Sequence, residues 1–453
     1  MSINRDSITV KELSKFLESG VLHIHFIGIL GAGMLPLAKL VRSFGHTVTG
    51  SDAKVTDMRI RDGFCVYSHA AGNVGKSDLV VASFAIDDNN PEIVAAVTRS
   101  VPIVTRAELL GAVMLKYKTR IGVSGSHGKS TTTAIIDKIF YDSGEFPTTV
   151  PGATLFDGVN VRVGAEDRII YEACEYRDSF LRFSPTLAVI TSVELDHTDY
   201  FHSLDDIFES FLKSTRGADC VIINGDFKGA GELIDKISSR VITYGESVNA
   251  DYTYSVLYKR ADSTGIQILK RGERFIEVET ALLGKYNILN ILAAVAAADY
   301  YGIDPDVISA SVSSFFGIER RMSRISQRSG HDIFYDYAHH PTEIAFAINA
   351  LKERYGGCTV VFCPHTFSRT RDLWSEFISA FCQSDITFLL DIYPAREDPI
   401  PGITSENLAK AVGDKCIYAN AEDIPRLIDE RAVGAVVLMG AGDFGALLDI
   451  LSK

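Results

Sequence analysis

The chain has 453 residues, a formal net charge of −13 at pH 7, 46% hydrophobic residues and 23% charged residues. At roughly 150 residues per domain this length predicts about three domains, and the composition is typical of a globular protein without long disordered tracts. The negative charge opposes binding to nucleic acid, so an anionic ligand has to be held by backbone amides, a few cations or metal ions.

Cysteine usage and the absence of long apolar runs indicate the compartment. The seven cysteines are scattered and form no Cys-x-x-Cys pair, which favours reduced thiols over a disulfide or zinc framework. The first residues lack the apolar core of a signal peptide, and no run of about 18 apolar residues could span a bilayer. The Ala-rich stretch 288–298 predicts a buried helix. We therefore expect a cytoplasmic protein without membrane insertion.

Three segments of the chain open in the same way, with an apolar strand-like run, a glycine turn or polar loop, and a helical pattern. This alternation is typical of parallel α/β layers. The apolar runs lie at residues 23–28, 120–124 and 332–336. We predict an α/β fold of three domains with limits at 1–118, 119–318 and 319–453.

Within the second predicted domain, residues 252–278 alternate strand-forming residues with turn residues at Ser263-Thr264-Gly265 and Arg271-Gly272-Glu273. This pattern predicts an antiparallel hairpin insert beside the main sheet. Helices are predicted over residues 286–301 and 305–315.

The strongest local motif is Gly125-Ser126-His127-Gly128-Lys129-Ser130-Thr131, between a short apolar strand and a helical run. A tight glycine turn at this point can direct backbone N–H groups and the helix N-terminus at phosphate. Lys129 would then meet the β- and γ-phosphates of ATP, and Ser130 a magnesium ion. Val123 replaces the first glycine of the full Walker pattern, which weakens a generic GTPase or motor assignment. The alternative is a glycine-rich turn that binds no nucleotide.

Acidic residues follow two further apolar strands. Glu172 and Glu175 end the strand at 168–171, and Glu194 and His197 follow the strand at 187–191. Ligands collect at the carboxyl ends of strands in open α/β sheets, so this set is predicted to hold magnesium beside the phosphate loop. The alternative is solvated strand-end acids with a structural His197.

The first segment carries the turn Gly28-Ile-Leu-Gly31-Ala-Gly33, and Asp52 closes the following strand. This pattern is similar to a dinucleotide-binding fingerprint, but Leu30 stands at the second glycine position. An NAD enzyme and a protein that binds another nucleotide diphosphate are both compatible with it.

The third segment places two histidines and two arginines after strand-like runs. Pro341 opens a predicted helix directly after His339 and His340, which predicts a shaped turn whose side chains face a ligand. Arg369 and Arg371 could bind a phosphate or a carboxylate, and solvated surface arginines are the alternative.

Taken in chain order, these motifs resemble the Mur ligases over nearly the whole chain. The matching stretches are Gly28 to Met34, Gly50 to Asp52, Gly125 to Thr133, Glu172 to Leu181, Glu194 to His197, Gly284 to Asn290, Asp336 to Glu343, Pro364 to Asp372, Tyr393 to Ala395 and Gly440 to Asp443.

The resemblance implies a Rossmann-like N-terminal domain for a UDP-sugar, a central ATPase domain, and a Rossmann-like C-terminal domain that closes over both. It implies ATP and Mg²⁺ as cofactors, UDP-N-acetylmuramate and L-alanine as substrates, and an acyl-phosphate route to the amide in peptidoglycan synthesis. The resemblance leaves open whether the protein is a monomer or a homodimer.

The resemblance also implies roles for individual residues. Catalytic roles are implied for Lys129, Glu172, His197 and His339, with His197 as a hypothesis for the general base. Cofactor contacts are implied for Gly125, Ser126, His127, Gly128, Lys129, Ser130, Thr131, Asn287, Asn290 and Arg320. Substrate contacts are implied for Gly31, Gly33, Asp52, His69, Glu175, His340, Arg369 and Arg371. The implied metal ligands are Ser130, Glu172 and His197.

Some positions depart from the family pattern. Leu30 replaces a glycine, Ser126 and Ser130 stand where Thr is common, and Cys174-Glu175-Tyr176 replaces an Asp-Glu-Ser pattern. Tyr176 resembles the residue of the family member that attaches a recycled tripeptide, whereas residues 364–372 favour the L-alanine substrate.

The sequence also leaves open the alternative that the protein is a folylpolyglutamate synthetase. An NAD-dependent oxidoreductase is opposed by Leu30, and a silent nucleotide-binding homologue is opposed by the intact Lys129.

Overall fold

The computed structural model describes residues 8–83, 86–196, 200–260, 262–395, 397–442 and 444–451. It contains three mainly parallel β-sheets flanked by helices, so the predicted α/β class is confirmed. The chain forms two compact units, each described by itself below. The first comprises Met1–Ser255, Gln267–Val278 and Asn290–Val312, and the second comprises Val256–Ile266, Glu279–Leu289 and Ser313–Lys453.

The first sheet has six strands in the order β3-β4-β2-β1-β5-β6. Its elements are α1 (Val10–Glu18), β1 (His23–Ile27), α2 (Met34–Ser43), β2 (Thr47–Ser51), β3 (Arg59–Arg61), β4 (Phe64–Tyr67), β5 (Leu79–Ala82), α3 (Pro91–Thr98), β6 (Ile103–Thr105) and α4 (Arg106–Met114). All its pairings are parallel except that of β3 with β4. The carboxyl ends of β1, β2 and β4 therefore meet at one edge.

The central sheet has nine strands in the order β15-β14-β13-β12-β11-β10-β7-β9-β8. Its elements are β7 (Thr119–Ser124), α5 (Lys129–Asp142), β8 (Pro147–Val150), β9 (Ala165–Glu172), β10 (Leu187–Ile190), α6 (Leu204–Ser214), β11 (Cys220–Asn224), α7 (Ala230–Lys236), β12 (Arg240–Tyr244), β13 (Tyr252–Lys259), β14 (Thr264–Lys270), β15 (Glu273–Thr280), α8 (Lys285–Tyr300) and α9 (Pro305–Ser313). Because β7 lies between β9 and β10, the loop that follows β7 has neighbours on both sides.

The predicted hairpin forms β14 and β15, joined by Arg271 (φ 52°) and Gly272 (φ 82°). Two central residues with positive φ are typical of the hairpin turn whose twist matches its strands. These strands continue the central sheet instead of standing beside it. The turn predicted at residues 263–265 falls earlier, because Gly265 already belongs to β14. A Cβ atom on Gly265 would come within 2.4 Å of the Tyr258 ring, so close packing and not a turn requires this glycine.

The third sheet has six strands in the order β16-β17-β21-β18-β19-β20. Its elements are β16 (Ser323–Arg328), β17 (His331–Asp336), α10 (Pro341–Tyr355), β18 (Cys358–Phe362), α11 (Phe367–Asp372), α12 (Trp374–Phe381), β19 (Ile386–Leu389), α13 (Ser405–Val412), β20 (Cys416–Tyr418), α14 (Ile424–Arg431), β21 (Ala435–Met439) and α15 (Ala446–Leu451). Only β16 with β17 is antiparallel among the pairings described.

One apolar core joins the first and central sheets within the first unit. It includes Leu110 of α4, Phe180 of the 3₁₀ segment Tyr176–Arg182 and Phe211 of α6, all fully buried. A Cβ atom on Gly111 would lie 2.3 Å from the Arg182 carbonyl oxygen, so α4 packs directly on that segment. Truncating such a core phenylalanine to alanine costs about 3–5 kcal/mol. The core therefore holds two loops in one unit: the turn at residues 28–33, called the first glycine turn below, and the phosphate loop.

The Ala-rich stretch forms a buried part of α8, as predicted, with Ile291 to Ala298 fully inside the protein. Among the helices that the structure describes, none is both long enough and apolar enough to cross a bilayer.

Candidate active site

The phosphate loop lies at the carboxyl end of β7 and leads into α5. Gly125 has φ 135°, and a Cβ atom there would come 2.1 Å from the Thr191 hydroxyl oxygen. Gly128, with φ 84°, precedes the first turn of α5, which has no side-chain cap. Uncapped N–H groups and the positive end of the helix dipole favour an anion at this position. The geometry therefore suits a phosphate group.

Backbone and side-chain hydrogen bonds hold the loop to the segment that follows β10. The Ser126 N–H donates to the Ser192 carbonyl oxygen at 2.9 Å, and the Glu194 N–H donates to Ser126 Oγ at 2.9 Å. The His127 N–H donates to Ser192 Oγ at 3.1 Å, and His127 Nε2 lies 3.4 Å from a Glu194 carboxylate oxygen. Ser126 and His127 thus shape the loop, while their contact with nucleotide stays a prediction.

Lys129 is held by the loop and by a buried acid. Its ammonium group donates to the Gly125 carbonyl oxygen, to the Ser126 carbonyl oxygen at 3.3 Å and to Glu175 Oε1 at 3.1 Å. Burial by itself lowers the pKa of Lys129, but Glu175, Cys174 and Glu172 raise it above the ordinary lysine value. Lys129 therefore stays positively charged at neutral pH, as a phosphate ligand requires.

Ser130 and Glu172 come together although they are distant in sequence. Glu172 is the last residue of β9 and pairs in register with Val123 of β7, and Ser130 Oγ donates to Glu172 Oε2 at 2.6 Å. A hydroxyl and a carboxylate are oxygen ligands of the kind that Mg²⁺ prefers. These two predicted metal ligands therefore fit the ion, whereas His197, the third, lies outside the described residues.

The sequence interpretation missed Gly152, which lies beside the Glu172 carboxylate. A Cβ atom on Gly152 would come within 2.2 Å of both carboxylate oxygens. Only glycine leaves Glu172 room to face Ser130. A Pro-Gly pair after β8 was the sole local signal, and it suggests a turn but not its neighbour.

Cys174 stands between the two acids of this motif. Burial and the charge of Glu175 raise the pKa of its thiol to about 11, although Lys129 opposes them. The thiol is therefore neutral at physiological pH and adds no charge to the carboxylates of Glu172 and Glu175.

The remaining predicted nucleotide residues are buried or tied to the backbone. Thr131 is buried in the first turn of α5, and the neighbouring Thr132 donates to Asn290 Oδ1 of α8 at 3.2 Å. Asn287 donates through Nδ2 to the Leu283 carbonyl oxygen at 2.8 Å. Asn290 thus links α8 to α5, and the adenine contacts of both asparagines stay predictions.

In the first sheet, the turn after β1 rests on Asp52. The Leu30 N–H donates to Asp52 Oδ2 at 3.1 Å, and the Lys54 N–H donates to Oδ1 at 3.0 Å. Both carboxylate oxygens of Asp52 therefore accept hydrogen bonds from backbone N–H groups. Gly31 is exposed and Gly33 half-buried, so the turn is open to a ligand at these residues.

Arg106 was missed by the sequence interpretation and lies against this turn. A Cβ atom on Gly33 would meet Arg106 Nε at 2.7 Å. Burial lowers the pKa of Arg106, while the charge of Glu172 favours its cationic form. The guanidinium therefore reaches from the first glycine turn into electrostatic range of the Glu172 carboxylate. The Thr105–Glu108 capping box predicts where α4 begins, but it does not predict this side-chain direction.

The second unit brings together histidines and aromatic rings around β17 and β18. The centroids of the His339 and His365 rings lie 6.2 Å apart, and His365 stacks on Tyr393 at 5.7 Å. Burial and the charge of Arg369 lower the pKa of His365. His340 caps α10, where the Thr342 N–H donates to His340 Nδ1 at 3.3 Å.

The predicted arginines of the second unit differ in environment. The Arg320 guanidinium carbon lies 5.1 Å and 4.9 Å from the ring centroids of Tyr335 and Tyr337, and Arg320 donates to the Gly442 carbonyl oxygen at 3.3 Å. Arg371 is exposed and donates to Asp372 at 2.8 Å. The ligand contacts predicted for these arginines stay predictions.

Three family models match successive parts of the chain. They are the Mur ligase family catalytic domain over residues 23–118, the Mur ligase middle domain over 123–298 and the Mur ligase glutamate ligase domain over 320–442. The UDP-N-acetylmuramate–L-alanine ligase of Lachnospira eligens is 38% identical over 441 residues, covering 93% of this chain and 96% of that protein. The ligase of the same name from Anaeromyxobacter dehalogenans is 36% identical, covering 93% and 95%.

Solved structures show the same similarity. The UDP-N-acetylmuramate–alanine ligase of Thermotoga maritima has a TM-score of 0.78 at 25% identity, covering 95% of this chain and 98% of that chain. A murein peptide ligase from Psychrobacter arcticus shares the fold, with a TM-score of 0.69 at 21% identity over 95% of this chain and 98% of that chain. The three-domain architecture is thereby confirmed, and the chain belongs to the Mur ligase family.

Proposed function

We propose that this protein joins L-alanine to the carboxylate of UDP-N-acetylmuramate at the expense of ATP, forming UDP-N-acetylmuramoyl-L-alanine, ADP and phosphate. The observation that carries the proposal is the arrangement of Lys129, Ser130 and Glu172 at one phosphate loop. Relatives with this printed activity align with more than nine-tenths of the chain and support the same substrates.

The chemistry follows from the weak electrophilicity of a carboxylate. A carboxylate oxygen of the sugar attacks the γ-phosphorus of ATP, the bond from that phosphorus to the bridging oxygen breaks, and ADP leaves. The alanine amine then attacks the acyl phosphate carbon, and phosphate leaves as the amide forms. Lys129 stabilises the charge that develops on the phosphoryl oxygens during the first step.

Ser130 and Glu172 would hold Mg²⁺, which neutralises phosphate charge when it is bound. The hydrogen bond that now joins these two side chains keeps their oxygen atoms together at the loop. Glu175 holds Lys129 by its charge, so the ammonium group stays near the carbonyl oxygens of the loop until phosphate is present. His197 stays a hypothesis for the base that removes the amine proton.

Arg106 supports placement of the sugar carboxylate beside the phosphate loop. The first glycine turn is proposed to bind the diphosphate of the UDP-sugar, with Gly31, Gly33 and His69 as contacts. Arg106 lies against Gly33 and carries a charge that interacts with Glu172. An arginine fork between the two sites could orient a carboxylate bidentately. Amino-acid contacts are proposed for His339, His340, Arg369 and Arg371.

The deciding experiment measures phosphate release from ATP with UDP-N-acetylmuramate, in parallel with L-alanine, glycine, L-serine and the tripeptide. We expect the largest kcat/KM with L-alanine. Phosphate release only with the tripeptide would assign the chain to peptide recycling, the alternative that Tyr176 favours. Release with none of the four, under conditions where the protein is folded, would refute ligase activity.

The same proposal places the enzyme in the cytoplasm, where ATP and UDP-sugars are made, as a monomer or homodimer. All seven cysteines are free thiols, which is compatible with a reducing compartment. Fractionation of the cells that produce it, and light scattering of the purified chain, test these two points.

A further inference from the structure

A chain of hydrogen bonds runs through the first sheet and joins three histidines to one buried acid. His23 and His25 lie on the same face of β1, and the hydroxyl oxygen of Thr49 on β2 is 2.9 Å from His23 Nε2 and 2.9 Å from His25 Nδ1. His25 Nε2 lies 3.2 Å from Glu92 Oε1, and Glu92 Oε2 lies 2.8 Å from His69 Nδ1.

Glu92 is the centre of this network. Its side chain is 0% exposed, and it accepts further hydrogen bonds from Ser51 Oγ at 2.6 Å and Asn73 Nδ2 at 2.6 Å. Burial raises the pKa of Glu92, but the hydrogen bonds from these neighbours and from the two histidines lower it to about 2. The acid is thus a buried anion at neutral pH.

Two of the groups that stabilise this buried anion are histidines. β1 contributes His25, and the segment after β4 contributes His69. β2 and the 3₁₀ segment Ala71–Val74 contribute only the neutral groups of Ser51 and Asn73, and β5 and β6 carry no charged residue. Among the residues that the structure describes, His25 and His69 are the two titratable groups that contact Glu92, and His23 reaches it through Thr49 and His25.

The network ends at the ligand edge of the sheet. Ser51, whose hydroxyl contacts Glu92, accepts backbone hydrogen bonds from Gly28 at 2.8 Å and Ile29 at 3.0 Å in the glycine turn. His69 follows β4 at the same edge, and its side chain is 21% exposed. An ionised Glu92 requires a proton on His69 Nδ1, which leaves Nε2 as the atom available to a ligand.

We propose that Glu92 is a positioning residue for His69, and that binding of the nucleotide-sugar diphosphate at the glycine turn draws an additional proton onto the His69–Glu92–His25 cluster. This inference rests on the proposed UDP-sugar site. The diphosphate adds negative charge near Nε2 of His69, so the doubly protonated imidazolium becomes the favoured form. The buried carboxylate keeps the ring in the orientation that presents this nitrogen, as an acid orients a histidine in many sites.

Calorimetric titration of the full chain with UDP-N-acetylmuramate, without ATP, tests the proposal at about pH 8, where free histidine is neutral. Repeating the titration in Tris and in HEPES gives the number of protons bound, because the two buffers differ in ionisation enthalpy. We expect net uptake of up to about one proton per bound ligand by the wild-type chain. His69→Asn should abolish the uptake, and Glu92→Gln should strongly reduce it.

Steady-state kinetics separate positioning from general structural damage. Glu92→Gln should raise KM for the nucleotide sugar about tenfold, with little change in kcat or in KM for ATP, because His69 contacts a part of the substrate that does not react. Glu108→Gln is the matched control, since Glu108 is also a buried glutamate in the first turn of a helix of this domain but belongs to a capping box. It should leave the proton uptake unchanged.

The outcomes are distinguishable. A heat of binding that is the same in both buffers, or equal proton uptake by His69→Asn and wild type, would overturn the inference while leaving the proposed function intact. If the wild-type chain neither binds the nucleotide sugar nor releases phosphate in the ligase assay, the proposed function itself fails. If Glu92→Gln does not fold, as judged by circular dichroism, the variant His69→Asn at the partly exposed position decides the question.

Discussion

The hydroxyl group of Ser130 donates a 2.6 Å hydrogen bond to the carboxylate of Glu172, a residue 42 positions later in the chain. Parallel pairing of β7 with β9 creates this contact, because it places the end of β9 beside the loop that follows β7. The pair is the structural basis of the proposed metal site at the phosphate loop, and substitutions at the loop and beside Glu172 test that proposal.

Ser130→Ala should lower the affinity for Mg²⁺ about tenfold and reduce kcat, because it removes one oxygen ligand and the partner of Glu172. Ser130→Thr keeps the hydroxyl and should retain most of the activity. The measurement is the dependence of phosphate release on Mg²⁺ concentration. Ser143→Ala, at the far end of α5, is the control. Equal Mg²⁺ dependence of Ser130→Ala and wild type would contradict the assignment.

Gly152→Ala should reduce activity by at least about a hundredfold, because the new methyl group would lie 2.2 Å from the Glu172 carboxylate and displace it. Gly231→Ala in α7 is the matched control. An added Cβ there meets no atom within 4 Å, and alanine favours the helix. Comparable kcat values for the two variants would show that Glu172 does not need its present position.

Glu175→Gln should lower the stability of the free protein by about 3 kcal/mol, because it leaves the Lys129 cation without its buried partner. Saturating MgATP should reverse much of this loss, since phosphate then supplies the negative charge. Thermal unfolding with and without MgATP measures both effects. A loss of the same size in both conditions would mean that nucleotide does not reach Lys129.

Cys174 should resist alkylation by iodoacetamide at neutral pH, since the thiolate reacts and the pKa of this thiol is raised to about 11. The exposed Cys382 should react first. Modification of Cys174 should accelerate as pH rises toward 11. Peptide mass spectrometry after timed alkylation identifies the modified residues, and rapid modification of Cys174 at neutral pH would disprove the prediction.

Acid should destabilise the protein partly through Glu92, whose pKa is lowered from 4.5 to about 2 by folding. A depressed folded-state pKa contributes stability above the unfolded value, and this stability is lost as pH falls from about 4.5 to about 2. The contribution is about 3 kcal/mol at neutral pH. The difference in unfolding free energy between wild type and Glu92→Gln should therefore shrink by that amount between pH 7 and pH 2. A difference that does not change with pH would show that the ionised Glu92 carboxylate does not stabilise the fold. Unfolding midpoints across this range provide the measurement.

The amino-acid sequence by itself determined the α/β class, the phosphate loop at Gly125 to Ser130 and the family. These features depend on local patterns: strand-like runs, glycines whose backbone angles only glycine adopts readily, and a Lys-Ser pair at the start of a helix. The position of the first hairpin turn could not be read in this way, because Gly265 serves the packing of Tyr258 and not a turn.

Only the tertiary structure decided which distant side chains meet. Arg106 reaches Gly33, Gly152 makes room for Glu172, and Glu92 gathers His25 and His69, although none of these pairs is adjacent in the chain. Strand register and helix packing bring such groups together, and neither leaves a local signal at the residues concerned. The sequence thus identified the glycine loop that is proposed to bind phosphate, while long-range packing decided what surrounds it.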